Sequence, residues 1–90
     1  PSYRMSTHPY ALSIAGLDPC GGAGLLADIK TFEAHKVLGI GVCTSITYQN
    51  DVDFKGVSWL PWHQLEAQLN ALIDRFPIRH VKIGLVENYE

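Results

Sequence analysis

The stretch ALSIAGLDPCGGAGLLADIK, residues 11 to 30, constrains this chain more than any other. It opens on a short apolar run, Ala11 to Ala15, that reads as a strand buried on both faces. Such burial belongs to a parallel sheet covered by helices. A loop carrying Gly16, Gly21, Gly22 and Gly24 follows, and a helical pattern begins directly after it. Glycine tolerates positive φ and close backbone approach, and a helix start offers unpaired N–H donors. Strand, glycine loop and helix therefore point backbone donors at something, and the rest of the chain has to say at what.

The remaining pattern repeats the theme. Residues 1 to 10 are polar and read as a tail, in which Met5 could be a start. The first helix is expected over Ala23 to Lys36, with Leu25, Ile29, Phe32 and Lys36 on one stripe and Lys36 laying its stem along it. Val37 to Gly39 is the return turn. Ile40 to Tyr48 is rich in β-branched residues and forms the second strand. Gly56 to Leu60 is a short extended piece with Val57 and Trp59 on one face. Pro61 suits a helix start, and Trp62, Leu65, Leu69, Leu72, Ile73 and Phe76 make the next stripe until Pro77 stops it. Glu66, Asn70 and Asp74 fall on its wet face. His80 to Gly84 is the third main strand. The order β-α-β-(β)-α-β implies right-handed crossovers and a parallel sheet. Ligands of such sheets sit outside the strands' carboxyl ends. Those ends carry Gly16 to Gly24, Gln49 to Asp51, and Gly84-Leu85.

Composition removes several classes of function. Ninety residues make one small domain or a piece of a larger one, with a marginal core. With 47% hydrophobic and 18% charged residues the chain is globular. A net charge of −2 without a basic run leaves no nucleic-acid or membrane footprint. No apolar run reaches the roughly 18 residues of a membrane span, and no signal peptide is visible. Cys20 and Cys43 read as free thiols of a cytoplasmic protein. The four histidines lack metal-site spacing, so no metal is expected.

The glycine loop admits three readings. A P-loop needs G-x-x-x-x-G-K-S/T, but Ile29 stands before Lys30-Thr31, and Lys30 lies too deep in the helix to curl over a phosphate. Gly22-x-Gly24-x-x-Ala27 fits a dinucleotide fingerprint formally. Yet six residues separate Ala15 from Gly22, and Gln49 stands where an acid should close the second strand. The third reading is a resemblance. Ala15-Gly-Leu-Asp-Pro-Cys-Gly-Gly-Ala-Gly24, then Leu-Leu-Ala-Asp-Ile-Lys-Thr-Phe32, resembles the opening of the hydroxymethylpyrimidine/phosphomethylpyrimidine kinases of the ribokinase-like superfamily. The likeness continues through Thr44 to Asn50, Gly56-Val57, Gln68-Leu69 and Val81 to Leu85, in the same order.

That resemblance implies a Rossmann-like three-layer α/β/α fold with a mainly parallel sheet. Residues 11 to 90 would be the N-terminal portion of the kinase domain, without its C-terminal half. The implied activity is ATP-dependent phosphorylation of 4-amino-5-hydroxymethyl-2-methylpyrimidine and its monophosphate in thiamine biosynthesis. ATP and Mg2+ would serve the complete enzyme, and the catalytic and anion-hole residues would lie downstream. The 90 residues alone would not turn over. A small-molecule partner is implied, a homodimer is allowed, and neither nucleic acid nor membrane is.

By the same resemblance the glycine loop serves the pyrimidine alcohol. Gly16 and Ala23 would line the pocket, their small size admitting a flat ring, and Thr47 and Leu85 would border it. Gln49 would hydrogen-bond the aminopyrimidine, since a carboxamide offers donor and acceptor together. On residues alone Gln49 is a strand-end side chain bonding a loop carbonyl. Asp18 reads as an Asx turn. Asp28 divides between a pocket role and a helix-dipole contribution. Trp59 and Trp62 are core and packing surface. Leu17, Cys20, Tyr48 and Leu85 depart from the family's usual residues, and Tyr48 and Leu17 are expected to reshape the pocket. Pyridoxal-type kinases are the nearest competitors. A dinucleotide-binding half-domain and a non-catalytic pyrimidine-binding module remain as alternatives.

Overall fold

The computed structural model describes residues 9 to 84. The elements run β1 (Tyr10–Leu17), α1 (Gly24–Ala34), β2 (Leu38–Gln49), β3 (Phe54–Trp59), α2 (Trp62–Ile73) and β4 (Ile78–Ile83). They form one four-stranded sheet in the order β3-β2-β1-β4. β1 pairs parallel with both β2 and β4, and β3 returns antiparallel on β2. β1 is thus an interior strand, and six of its eight residues are buried.

An alternation in residue size places the helices. Ser13 bonds Asp28 of α1, and a Cβ added to Gly41 would collide with Leu25 of α1. The sheet face with Ala11, Ser13 and Ala15 on β1 and Gly39 and Gly41 on β2 is therefore the α1 face. Small residues there let α1 approach closely. The opposite face carries Leu12 and Ile14 on β1 and Ile40 and Val42 on β2. It meets Leu65, Leu69 and Leu72 of α2 in the main hydrophobic cluster. Fully burying a leucine such as Leu65 contributes about 1.5–3 kcal/mol. Helices on both faces of a mainly parallel sheet make the α/β/α arrangement that the sequence suggested.

Several boundaries shift, each for a visible reason. β1 begins at Tyr10, placed in the tail by sequence, because its ring is buried and packs 5.1 Å from that of Phe76. It also runs on through Gly16 and Leu17, so the loop starts only at Asp18. α1 ends at Ala34, not Lys36, and Lys36 takes a φ of +61° in the exposed turn after it. Its stem therefore does not join the helical stripe. α2 stops at Ile73, and Phe76 packs from the turn that follows. Trp62 and Ile73, expected in the stripe, are more than half exposed.

β2 is irregular where it leaves β1. Ala15 is opposite Cys43 while Leu17 is opposite Ile46, so β2 carries one extra residue. β3 extends only to Trp59 opposite Ser45, which leaves the Cys43 backbone without a strand neighbour on that side. The Gln68 carboxamide replaces it, accepting from Cys43 N and donating to Cys43 O, both at 2.9 Å. One side chain of α2 thereby does the work of a strand edge. β4 has β1 on one side only, and Val81 and Ile83 are exposed. It is an edge strand of the sheet.

Candidate functional site

The carboxyl ends of β1, β2 and β4 converge with the start of α1 on one cavity of about 220 Å³. Its walls are Ala15, Gly16, Asp18, Ala23, Gly24, Asp28, Thr47, Gln49, Lys82 and Gly84. Five residues singled out by sequence, Gly16, Ala23, Asp28, Thr47 and Gln49, meet there from four separate elements or loops. Leu85, the sixth, lies outside the described residues. A cavity of about 150 Å³ accommodates benzene, so this one has the size of a single substituted ring.

The glycine loop is organised from within. Asp18 is 7% exposed. Its Oδ1 accepts from Cys20 N at 3.0 Å, and its Oδ2 accepts from Gly22 N and Ala23 N, both at 3.1 Å. Gly21 N closes the turn on Asp18 O at 2.9 Å. The Asx turn expected of Asp18 is present, and the same carboxylate also sits at the start of α1, where negative charge is favoured. Three of the loop's backbone donors are thus taken by the chain's own carboxylate. Gly24 has a φ of +64°, and a Cβ there would collide with the carbonyl oxygen of Gly16. This close approach holds the loop against the end of β1, where Leu17 and Gly24 form an isolated bridge. Lys30 reaches back to the loop, since a Cβ on Gly21 would lie 2.9 Å from its Nζ. It is not part of the cavity wall.

The opposite wall is built by β2. Thr47 Oγ1 donates to Leu17 O at 2.8 Å and accepts from Gln49 Nε2 at 2.7 Å. This relay orients the Gln49 carboxamide from below. One N–H is engaged, and the amide's remaining capacity is one N–H and a carbonyl oxygen. Gln49 bonds Thr47 rather than the loop carbonyl directly. Tyr48 points away from the cavity, its ring lying over Gly56 of β3, and Leu17 is not in the wall either. Neither side chain therefore lines the cavity.

The third wall was only partly legible. Asp28 is buried and accepts from Ser13 Oγ at 2.7 Å through Oδ2 and from Lys82 Nζ at 2.6 Å through Oδ1. Burial pushes its pKa up, but the hydrogen bonds from Lys82 and Ser13 and the Lys82 charge outweigh this. The carboxyl is held below its ordinary 3.8. Asp28 is thus a pocket residue with a fixed ion pair, placed one turn into α1 rather than at its tip. Sequence reasoning missed Ser13 and Lys82. Ser13 interrupts an apolar strand, which is the usual mark of a buried polar contact. Lys82 stands two residues before the strand-end Gly84, between Val81 and Ile83, and that position was a usable signal.

Among the described residues no cluster of three His, Cys, Asp or Glu could hold a metal ion. No helix among them is long and apolar enough to cross a membrane. Cys20 and Cys43 are free thiols.

The family model for phosphomethylpyrimidine kinase matches residues 18–90. The chain belongs to that family. It is 44% identical over 80 residues to the hydroxymethylpyrimidine/phosphomethylpyrimidine kinase of Aquifex aeolicus (strain VF5), which covers 89% of this chain and 31% of that protein. Among solved structures it resembles a phosphomethylpyrimidine kinase from Clostridium difficile 630, with a TM-score of 0.83 and 42% identity over 88% of this chain and 36% of that one. A Bacillus subtilis pyridoxal kinase in complex with ADP is similar at a TM-score of 0.81 and 30% identity, over 91% of this chain and 33% of that one. The chain thus spans about a third of the length of these relatives. The ribokinase-like fold follows from these likenesses.

Proposed function

We propose that this cavity is the pyrimidine-binding part of a cytoplasmic kinase that phosphorylates 4-amino-5-hydroxymethyl-2-methylpyrimidine and its monophosphate in thiamine biosynthesis. The observation that carries the reading is the Leu17–Thr47–Gln49 relay at the rim of a ring-sized cavity. With one N–H held by Thr47, the Gln49 amide has a carbonyl oxygen for the exocyclic amine and an N–H for the adjacent ring nitrogen. Gly16 and Ala23 contribute walls without bulk on the loop side. Three of the loop's donors face inward to Asp18, which supports a site for the phosphoryl acceptor.

ATP and Mg2+ belong to this reading, but the described residues do not fit them. They present no metal-ligating cluster, and Asp18 takes the Gly22 and Ala23 donors of the glycine loop. Those groups would be held by parts of the longer relatives that this chain does not match. Phosphoryl transfer depends on positioning and charge neutralisation, and this chain's share is to hold the alcohol.

The test is a calorimetric titration of the chain with the pyrimidine alcohol. Saturable binding that is lost in Gln49→Ala supports the reading, and no binding by the unaltered chain overturns it. A pyridoxal-type substrate is the second reading, favoured by the likeness to the pyridoxal kinase fold. Competition between pyridoxal and the pyrimidine alcohol for the same site decides between them.

A further inference from the structure

A carboxamide keeps nearly the same shape when its nitrogen and oxygen are exchanged, so its partners decide which end sits where. At Gln49 one proton makes that decision. Thr47 and Gln49 stand two residues apart on β2, and both line the cavity. Thr47 is only 4% exposed. Its Oγ1 lies 2.8 Å from Leu17 O and 2.7 Å from Gln49 Nε2. A carbonyl oxygen cannot donate, and a hydroxyl has a single proton. The Thr47 proton is therefore committed to Leu17 O, at the end of β1. Toward Gln49 the hydroxyl can only accept, so the amide end that meets it is the N–H end.

A reversed amide would set two acceptor oxygens at hydrogen-bond distance with no proton between them. Turning the Thr47 proton to meet the amide oxygen would take that donor away from Leu17 O. Either way a hydrogen bond of a buried hydroxyl is lost. Gln49 thus shows the cavity its carbonyl oxygen and one N–H in a fixed order. A ring edge with an exocyclic amine beside an unprotonated nitrogen is donor then acceptor, and it matches that order. A ring edge with an exocyclic oxygen beside an N–H is acceptor then donor, and it matches the reversed amide. A carboxamide free to turn would suit either ring. Turning the oxo ring over instead would carry its hydroxymethyl group to the other end of the amide, away from the place of the reacting alcohol.

We propose that Thr47 is a positioning residue that sets the specificity of this site. With its proton on Leu17 O, it locks the Gln49 carboxamide so that the cavity takes an aminopyrimidine and refuses the corresponding oxopyrimidine. This inference rests on the pyrimidine reading and deepens it. The ligand class is an uncharged ring with an exocyclic amine next to an acceptor nitrogen and the reacting alcohol on the neighbouring carbon. Thr47 acts through Gln49 and need not touch the ligand.

The test compares the pyrimidine alcohol with its counterpart carrying an oxo group in place of the amine and a proton on the adjacent ring nitrogen. Both are titrated calorimetrically into the unaltered chain, Thr47→Val, Thr47→Ala and Thr47→Ser, with thermal melts to confirm folding. The unaltered chain is expected to prefer the amino ring by about tenfold or more, the scale of one hydrogen bond lost. Thr47→Val keeps the shape and removes the hydroxyl, so both amide orientations open to about equal populations. The amino ring then weakens by about twofold, and the oxo ring tightens by about fivefold or more. Thr47→Ser keeps the hydroxyl and with it the preference. A purely structural Thr47 would weaken both rings together in Thr47→Val and give the oxo ring no gain. Thr47→Ala reads the same gain if the valine variant fails to fold. Equal affinity for both rings in the unaltered chain overturns the lock and leaves the pyrimidine reading standing. So does a preference that survives in Thr47→Val or Thr47→Ala, or one that Thr47→Ser fails to keep. If the unaltered chain binds neither ring, the pyrimidine reading falls and this inference falls with it.

Discussion

The loop side and the strand side of one cavity are built on opposite principles. The loop from Asp18 to Gly24 looks like a ligand cradle in sequence, yet its polar groups point at each other. Asp18 takes Cys20, Gly22 and Ala23 N–H, and Gly24 is pressed against Gly16. The sides made by Thr47 and Gln49 of β2 and by Lys82 of β4 have no glycine motif, yet their side chains are anchored at one end and have bonding capacity at the other. Glycines at a strand–helix junction can serve shape alone, and recognition then falls to whatever faces them.

The largest effect expected from breaking this contrast is on the loop. Gly24→Ala combines a left-handed backbone, worth roughly 1–2 kcal/mol against a non-glycine residue, with a collision on the Gly16 carbonyl. In a small domain with a bare sheet edge, a circular dichroism melt of that variant should show no cooperative transition. A melt equal to the unaltered chain's would mean that the loop is not held as described.

Asp18→Ala comes next. It removes the acceptor for three backbone donors near a helix start and should cost about 1–2 kcal/mol. The converse test uses inorganic phosphate. If Asp18 fills the loop, millimolar phosphate should leave the melting temperature unchanged beyond its general salt effect. A saturable phosphate stabilisation would break the comparison.

The Asp28–Lys82 pair should have a smaller and pH-dependent effect. Asp28's pKa is lower in the folded chain than the ordinary 3.8. Its stabilisation is complete above the unfolded-state value and drains away as pH falls through the folded one. Because Lys82 is largely exposed, Asp28→Asn should cost under about 1 kcal/mol at neutral pH. It should also flatten the loss of melting temperature below about pH 4. An unchanged acid slope in Asp28→Asn would show that the pair does not govern it.

The sequence carried the architecture because two periodicities were clean. The alternation of Ala11, Ser13 and Ala15 with Leu12 and Ile14 marks a strand covered on both faces. The stripe of Leu65, Leu69 and Leu72 marks the helix that covers one of them. Five cavity residues were named through the family resemblance, and three of them, Gly16, Ala23 and Gln49, also sit in the loop and strand ends where α/β sheets bind ligands. What escaped was non-local. The pairing of Ser13 with Asp28 spans 15 residues and that of Lys82 with Asp28 spans 54. Gln68 reaches 25 residues back to complete the Cys43 backbone. No window of sequence contains both partners of such contacts. The ends of β1 and α1 were misplaced for a related reason. Tyr10 is held by Phe76, and Lys36 leaves the helix because the chain must reverse into β2.

Gln49→Ala should have the smallest effect on folding, within about 0.5 kcal/mol, because the carboxamide's one internal bond is to Thr47 at the cavity rim. Its effect should be on binding. The most direct test of the account is therefore a nitrogen-15 NMR titration of the labelled chain with the pyrimidine alcohol. The account predicts saturable shifts of the Gln49 side-chain amide signals together with Ala23 and Gly84. Cys20 and Gly21, whose environment is internal to the loop, should stay nearly still. Shifts centred on Cys20 to Gly22 with Gln49 unmoved would contradict it and return the glycine loop to the role its sequence advertises.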